Sequence, residues 1–215
     1  MSRARGTATN DRDAVDAPQN PLDLEAEYAD LRTDRRHMFS ATYIIELPFF
    51  RDAANPYLRA AFGGWQLSGI TRLESGAPIS RIVTNSDTFR RGIRANQVGD
   101  PKAGEMNFPY WFDPAAYVAP PLGQYGTTGR APFRLPGREQ TDLALSKNFY
   151  AFGTRVQFRA DAINAFNHTQ WLAVDNSCPA AGLPQNTCVV AGNTFGQITS
   201  TRAPREVQLS VKLYW

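Results

Sequence analysis

The sequence predicts an all-β protein built as an antiparallel meander, and three observations lead there. Five stretches alternate apolar and polar residues with period two. No stretch reaches the ~18 consecutive apolar residues that a membrane helix needs. The connections between the five are very unequal in length, a pattern that soluble domains seldom tolerate.

Residues 1–34 are polar, carry Pro18, Pro21 and many acids, and show no sustained helical period. They read as a loop or disordered lead-in ahead of a domain over 35–215. The first strand, near 36–48, sets Phe39, Ala41, Tyr43, Ile45 and Leu47 against Ser40, Thr42 and Glu46, and Pro48 ends it. The second, near 64–76, sets Trp65, Leu67, Gly69, Thr71 and Leu73 against Gln66, Ser68, Arg72 and Glu74, with Ile70 interrupting the polar side. In the third, near 139–150, Leu143, Leu145 and Phe149 alternate with Asp142, Ala144, Ser146 and Asn148. Lys147 falls on its apolar face, close enough to the end of the run to snorkel toward an interface. The fourth, near 154–166, follows a Phe152-Gly153-Thr154 turn and sets Val156, Phe158, Ala160 and Ala162 against Gln157, Arg159 and Asp161. The fifth, near 205–215, is the clearest: Val207, Leu209, Val211, Leu213 and Trp215 form an unbroken apolar face opposite Gln208, Ser210 and Lys212.

Only a few residues join the third and fourth strands, whereas about 60 separate the second from the third and about 40 the fourth from the fifth. Transmembrane barrels have this asymmetry, with short turns on the periplasmic side and long loops outside. Their strands alternate apolar and polar residues, so 42% hydrophobic residues and a mean hydropathy of -0.40 fit them. If the last strand ends at the periplasm, antiparallel order puts the 152–154 turn and the Phe49 to Phe62 connection on that side. The loops at 77–136 and 167–204 are then extracellular, and the chain is expected to form the last five or so strands of a transmembrane β-barrel. The first long loop is rich in aromatic residues and has room for small strands of its own.

Charge and motifs exclude several classes. The 23 Lys and Arg against 20 Asp and Glu, a net charge of +3, are scattered rather than clustered, which argues against nucleic acid. There is no P-loop, no Gly-x-Ser-x-Gly elbow and no His-Glu-x-x-His, so no enzyme and no cofactor are expected. Arg72, Glu74, Arg159 and Asp161 read as lumen-facing charges that pair with one another or contact a plug inside the barrel. His37 and His168 lack finger-like spacing to the cysteines, so no metal is expected. Cys178 and Cys188, in a stretch rich in Asn, Pro and Gly, suggest a small disulfide loop suited to an oxidising compartment, with two separate thiols as the alternative. Trp111, Phe112 and Tyr117 are candidate ligand contacts for a peptide, glycan or siderophore, weighed against a favoured role in packing the loop. Met1 leads directly into a polar stretch without an export signal, so the chain is expected to be part of a longer, exported protein.

Several runs, in order from residue 34 to the end, resemble the C-terminal region of TonB-dependent outer-membrane receptors, in particular the Oar-like kind with an N-terminal carboxypeptidase-regulatory-like domain. They are Asp34-Arg-Arg-His37-Met-Phe with Glu46-Leu-Pro-Phe49, Gly64-Trp-Gln-Leu-Ser-Gly69, Trp111-Phe-Asp-Pro-Ala-Ala-Tyr117 and Gly126-Thr-Thr-Gly-Arg130. Further along come Asp142-Leu-Ala-Leu-Ser-Lys-Asn-Phe149, Asn164-Ala-Phe-Asn-His168, Phe195-Gly-Gln-Ile-Thr199 and Gln208-Leu-Ser-Val-Lys-Leu-Tyr-Trp215. The resemblance implies a barrel of about 22 strands around a plug, in a Gram-negative-type outer membrane, importing large substrates with energy passed on by TonB. It also implies that Val207, Leu209, Val211, Leu213 and Trp215 form an insertion signal read by the barrel-assembly machinery. The implied partners are outer-membrane lipid, that machinery, and the remaining barrel and plug of the full-length protein, with TonB coupling through the missing N-terminal part.

The runner-up is a soluble, secreted β-sandwich that binds carbohydrate through exposed aromatics. The two readings differ in one observable. A sandwich buries its apolar strand faces in a dry core, whereas a barrel wall is a single curved sheet with its apolar face outward.

Overall fold

A computed structural model of the chain describes residues 3–7, 18–79, 82–84, 92–103, 107–151, 153–179 and 187–215. Phe152 of the expected tight turn, and residues 1–2 and 8–17 of the expected lead-in, lie outside the described residues. The chain divides into two compact units whose segments alternate along the sequence: Met38–Glu74, Arg138–Gln170 and Arg202–Trp215 form one, and Met1–His37, Ser75–Gly137 and Trp171–Thr201 the other.

The first unit is a five-stranded sheet of β1 (Met38–Glu46), β2 (Trp65–Glu74), β3 (Arg138–Ala151), β4 (Thr154–Ile163) and β5 (Glu206–Tyr214). Its spatial order is β5-β4-β3-β2-β1 and every neighbouring pair is antiparallel, so the expected meander is what forms. β1 and β5 are the edges, and the sheet is not closed. The strands form where β-branched and aromatic residues alternate with polar ones, which suits a pleated surface with two unlike faces.

Turn chemistry sets the ends. Gly153 takes φ 78° in the short β3–β4 turn, a conformation open to glycine at little cost. After β4, Asn164 and Asn167 take φ 51° and 53°, and asparagine tolerates this region best among residues with a Cβ. The Asn164 side chain donates to the His168 carbonyl (3.0 Å) and accepts from the His168 amide (3.2 Å). Asn167 Oδ1 accepts the amide of Arg205 just ahead of β5 (3.2 Å).

The β1–β2 connection contains a helix, α1 (Pro56–Phe62), which period-two alternation does not encode. Its start signal is local. Asn55 Oδ1 accepts the amides of Tyr57 and Leu58, and Pro56 occupies the first turn, where its missing N–H costs nothing.

The second unit has its own core, centred on Phe112, Tyr117, Phe195, Ile82, Val174 and the Cys178–Cys188 disulfide. Short ladders frame it: Asn96–Gln97 pairs with Tyr117–Val118, Val83–Thr84 runs parallel to Ser177–Cys178, and Trp171–Val174 pairs with Ile198–Thr201. The described part of residues 1–34 belongs to this unit rather than standing apart as a lead-in. Arg5–Gly6 pairs with Ala29–Asp30, and the buried Glu27 and Asp34 carboxylates are bound by Arg94 and Arg134 respectively. An alternation-based reading has no view of such contacts, because they join residues far apart in sequence.

Candidate functional site

The pairing register sorts the sheet into two chemically distinct faces. Residues directly opposite one another share a face, so one face carries the rows Tyr43-Gly69-Leu143-Ala162-Val207, Ile45-Leu67-Leu145-Ala160-Leu209 and Trp65-Lys147-Phe158-Val211. The other carries Ile44-Ser68-Ala144-Asp161-Gln208 and Glu46-Gln66-Ser146-Arg159-Ser210.

The apolar face is open. Phe39, Ile45, Leu73, Phe149, Val207, Leu209, Val211 and Leu213 are all exposed, and Trp215 is 98% exposed. In the sheet's unit no second sheet covers them among the described residues. This is the arrangement of a barrel wall and not of a sandwich, whose core needs a facing sheet. From Val207 to Trp215, at about 3.4 Å per residue, β5 spans about 27 Å. Tilted by about 40° it crosses about 21 Å, close to the apolar band of about 25 Å that outer-membrane barrels present.

At the end of the sheet with the tight turn, aromatic residues gather on this face. Trp65 and Phe158 meet edge to face at 6.3 Å, and Lys147 Nζ lies 5.5 Å from the Trp65 ring and 5.0 Å from that of Phe149. Lys147 is 3% exposed although it stands on the apolar side. Its ammonium donates to the Gly63 carbonyl (2.6 Å) and to that of Ala60, and Trp65 Nε1 donates to the carbonyl of Ala61 (3.2 Å). The last carbonyls of α1 have no intrahelical partner, and here side chains from the apolar face supply donors, so α1 is docked on that face. Snorkelling was the expectation for Lys147; hydrogen bonding to α1 is the arrangement found.

The polar face carries a charge pattern along the strands. Arg159 makes a two-pronged bond to Asp161, two residues on and on the same face (2.8–3.0 Å). Arg138 Nε donates to Gln140, and Gln140 Nε2 to Asp142 (2.9 Å), whose Oδ1 also accepts the Asn164 amide. A concavity on this face is lined by Thr42, Ser68, Asp142, Arg159 and Asp161 among others. Its two carboxylates have side-chain partners on the same strand, Asp161 with Arg159 and Asp142 with Gln140. Among the described residues no three His, Cys, Asp or Glu gather to hold a metal, and no helix is long and apolar enough to cross a membrane.

The remaining candidates lie in the second unit. Phe112 and Tyr117 are buried in its core, where their rings meet edge to face at 5.5 Å, which is a packing position. Trp111 is half-buried beside Lys102, Phe133 and Arg134, with its Nε1 donating to the Arg134 carbonyl (2.8 Å). Burial, with the charge of Asp100, pushes the Tyr117 hydroxyl up to about 12, so it stays protonated. Cys178 and Cys188 are joined in a disulfide.

The sequence motifs of this unit have structural roles. A Cβ on Gly126 would fall 1.8 Å from the Arg94 carbonyl, Thr128 donates to the Ala95 carbonyl, and Arg130 donates to the carbonyls of Gly6 and Glu27. Asp113 caps the short helical turn Pro114–Ala116 by accepting the Ala115 amide (2.9 Å).

A family model described as an outer membrane beta barrel domain matches residues 1–208. No curated protein and no solved structure matches the chain.

Proposed function

The chain belongs to the outer membrane β-barrel domain family and is a protein of the cell outer membrane, and from that premise we propose that it forms part of the wall of a TonB-dependent receptor of the Oar-like kind. In this reading β1 to β5 are the last strands of a larger barrel, the second unit is built from its extracellular loops, and the role in the full-length protein is non-catalytic support of substrate uptake. The observation that carries it is the open five-stranded sheet with an exposed apolar face and a polar, charge-lined face. A sheet edge in lipid must be paired, because each unsatisfied N–H or C=O costs several kcal/mol there. The edges at β1 and β5 therefore take further strands of the same barrel. In the closed barrel β5 meets the first strand and β1 the strand that precedes it, the polar face lines the lumen and contacts the plug, and TonB acts through N-terminal parts of the full-length protein.

The exposed row Val207, Leu209, Val211, Leu213 and Trp215 serves twice. It faces lipid in the finished wall, and the barrel-assembly machinery reads it during insertion. The test is delivery of the full-length protein to the outer membrane after removal of Trp215, and separately after Leu213→Asp. The first removes the aromatic recognition residue, while the second puts a charge on the lipid side at a cost that depends on depth. Both are expected to reduce the heat-modifiable barrel in outer-membrane fractions. Unchanged amounts after both changes contradict the reading.

A further inference from the structure

The β1–β2 connection is larger than a tight turn, and what it exposes is unusual. Every residue of α1 is exposed, Tyr57 at 83% and Phe62 at 56%, and Phe49 and Phe50 ahead of it are also exposed. Phe50 and Phe62 pack ring against ring at 5.7 Å, which joins the start of the connection to the end of α1 in one apolar contact. Isolated helices shorter than about 12 residues are marginal in water. The seven residues of α1 are nevertheless held as a helix by the Asn55 cap at one end and by Lys147 and Trp65 at the other.

Those last two side chains decide where the helix lies. Lys147 and Trp65 share a row on the apolar face of the sheet, beside Phe158 and Val211. The helix is thus on the outside of the wall and continues its apolar surface at the end with the tight turn. Two cations, Arg51 and Arg59, are exposed on the same segment.

We propose that this segment is an in-plane membrane anchor. Phe49, Phe50, Leu58 and Phe62 enter the boundary between headgroups and acyl chains of a phospholipid leaflet, Arg51 and Arg59 meet its phosphates, and Lys147 latches the helix to the wall. The proposal rests on the outer-membrane wall reading, because continuity with a lipid-facing surface identifies lipid as the occupant. Short helices with aromatic and aliphatic side chains beside basic ones bind membranes in this way, their apolar side about 5–10 Å into the boundary. The lysine would be costly at the bilayer centre but costs about 0–1 kcal/mol near an interface, which agrees with its place in the aromatic row.

The test places a fluorophore on Leu58→Cys in the protein reconstituted into phospholipid vesicles, with Leu209→Cys and Ser68→Cys as references for the apolar and polar faces. All three sites are on the surface or face of the sheet unit, and Leu58 has no buried role to lose. Phospholipids carrying a nitroxide at a shallow acyl position are expected to reduce the fluorescence at position 58, as they do at 209, while aqueous iodide has little effect. Quenching of position 58 by iodide, with position 209 still quenched by nitroxide, overturns the anchor and leaves the wall reading standing. Quenching of both positions by iodide overturns both.

Discussion

The Tyr43 ring lies over Gly69: a Cβ on Gly69 would fall 2.8 Å from both Cε2 and Cζ of that ring, and 2.8 Å from Leu143 Cδ2. The two residues are directly paired across β1 and β2. A strand glycine leaves its backbone bare, and an aromatic neighbour on the adjacent strand covers it. The Tyr43 hydroxyl lies 3.4 Å from Thr71 Oγ1, which is 3.1 Å from Thr141 Oγ1, so the ring's polar tip is also accommodated on this face.

Gly69→Ala is therefore expected to destabilise the sheet. Replacing glycine by alanine in a strand ordinarily helps by about 0.5–1 kcal/mol, but overpacking costs about 1–3 kcal/mol, and at 2.8 Å from a ring and a leucine the second effect wins. Urea unfolding of the reconstituted protein measures it. Tyr43→Ala in the same background is expected to recover part of the loss, and a Gly69→Ala variant as stable as wild type contradicts the contact.

Lys147→Met keeps an unbranched apolar stem, one atom shorter, but removes the donors to Ala60 and Gly63. Each carbonyl left without a partner away from water costs about 1–3 kcal/mol, enough to release a helix of this length. Tryptic cleavage at Arg51 or Arg59 is expected to accelerate in the variant while the heat-modifiable barrel persists. Cleavage at the wild-type rate would show that Lys147 does not hold α1.

In the second unit the Asp30 carboxyl is pushed up by burial, but hydrogen bonds from Arg36, Arg134 and Arg3 outweigh this and hold it at about 2. A folded-state value below the unfolded one of about 3.9 adds stability above about pH 4, and that stability is lost as the pH falls toward about 2. Asp30→Asn mimics the protonated acid. The rate of peptic cleavage within residues 18–37, variant over wild type, should be high at pH 4 and approach one at pH 2. A ratio that does not change with pH removes Asp30 as the acid-sensitive group.

The chain expressed alone is expected to form inclusion bodies and, refolded into vesicles, to show no discrete conductance unless several copies complete a ring. The unpaired edges of β1 and β5 and the exposed apolar face together favour aggregation. A monodisperse, water-soluble monomer with a cooperative thermal transition would contradict the wall reading itself.

What was legible in the sequence was what alternation encodes. The faces of β5, from Val207 to Leu213, and of β4, from Val156 to Ala162, follow directly from period two, and the meander follows from the short turn at Gly153. Less legible was anything held by contacts between distant residues. Asp30 and Asp34 look like ordinary loop acids until Arg134 is seen to bind both. Lys147 looked like an exception on the apolar face, because nothing local reveals the carbonyls of Ala60 and Gly63. The Asn55-Pro56 pair did announce α1, but a search for strands does not weigh a cap.

The long connection between β2 and β3 closes on itself at its base. The Leu135 amide donates to the Ala77 carbonyl (2.7 Å), the Ile79 amide to that of Phe133 (2.9 Å), and Pro78 pairs with Arg134. A Cβ on Gly76 would fall 1.6 Å from the Leu135 carbonyl oxygen, so the two arms approach as closely as backbone allows. Closing a free loop of about 60 residues costs about 3 kcal/mol more in chain entropy than closing one of two. Here that cost is met within the loop, and the offset that pairs Pro78 with Arg134 is the same one that pairs Glu74 with Arg138. The register of the wall is thereby insulated from whatever lies beyond Ile79 and Phe133, so the outer part can lengthen, shorten or be exchanged between relatives without a strand slipping.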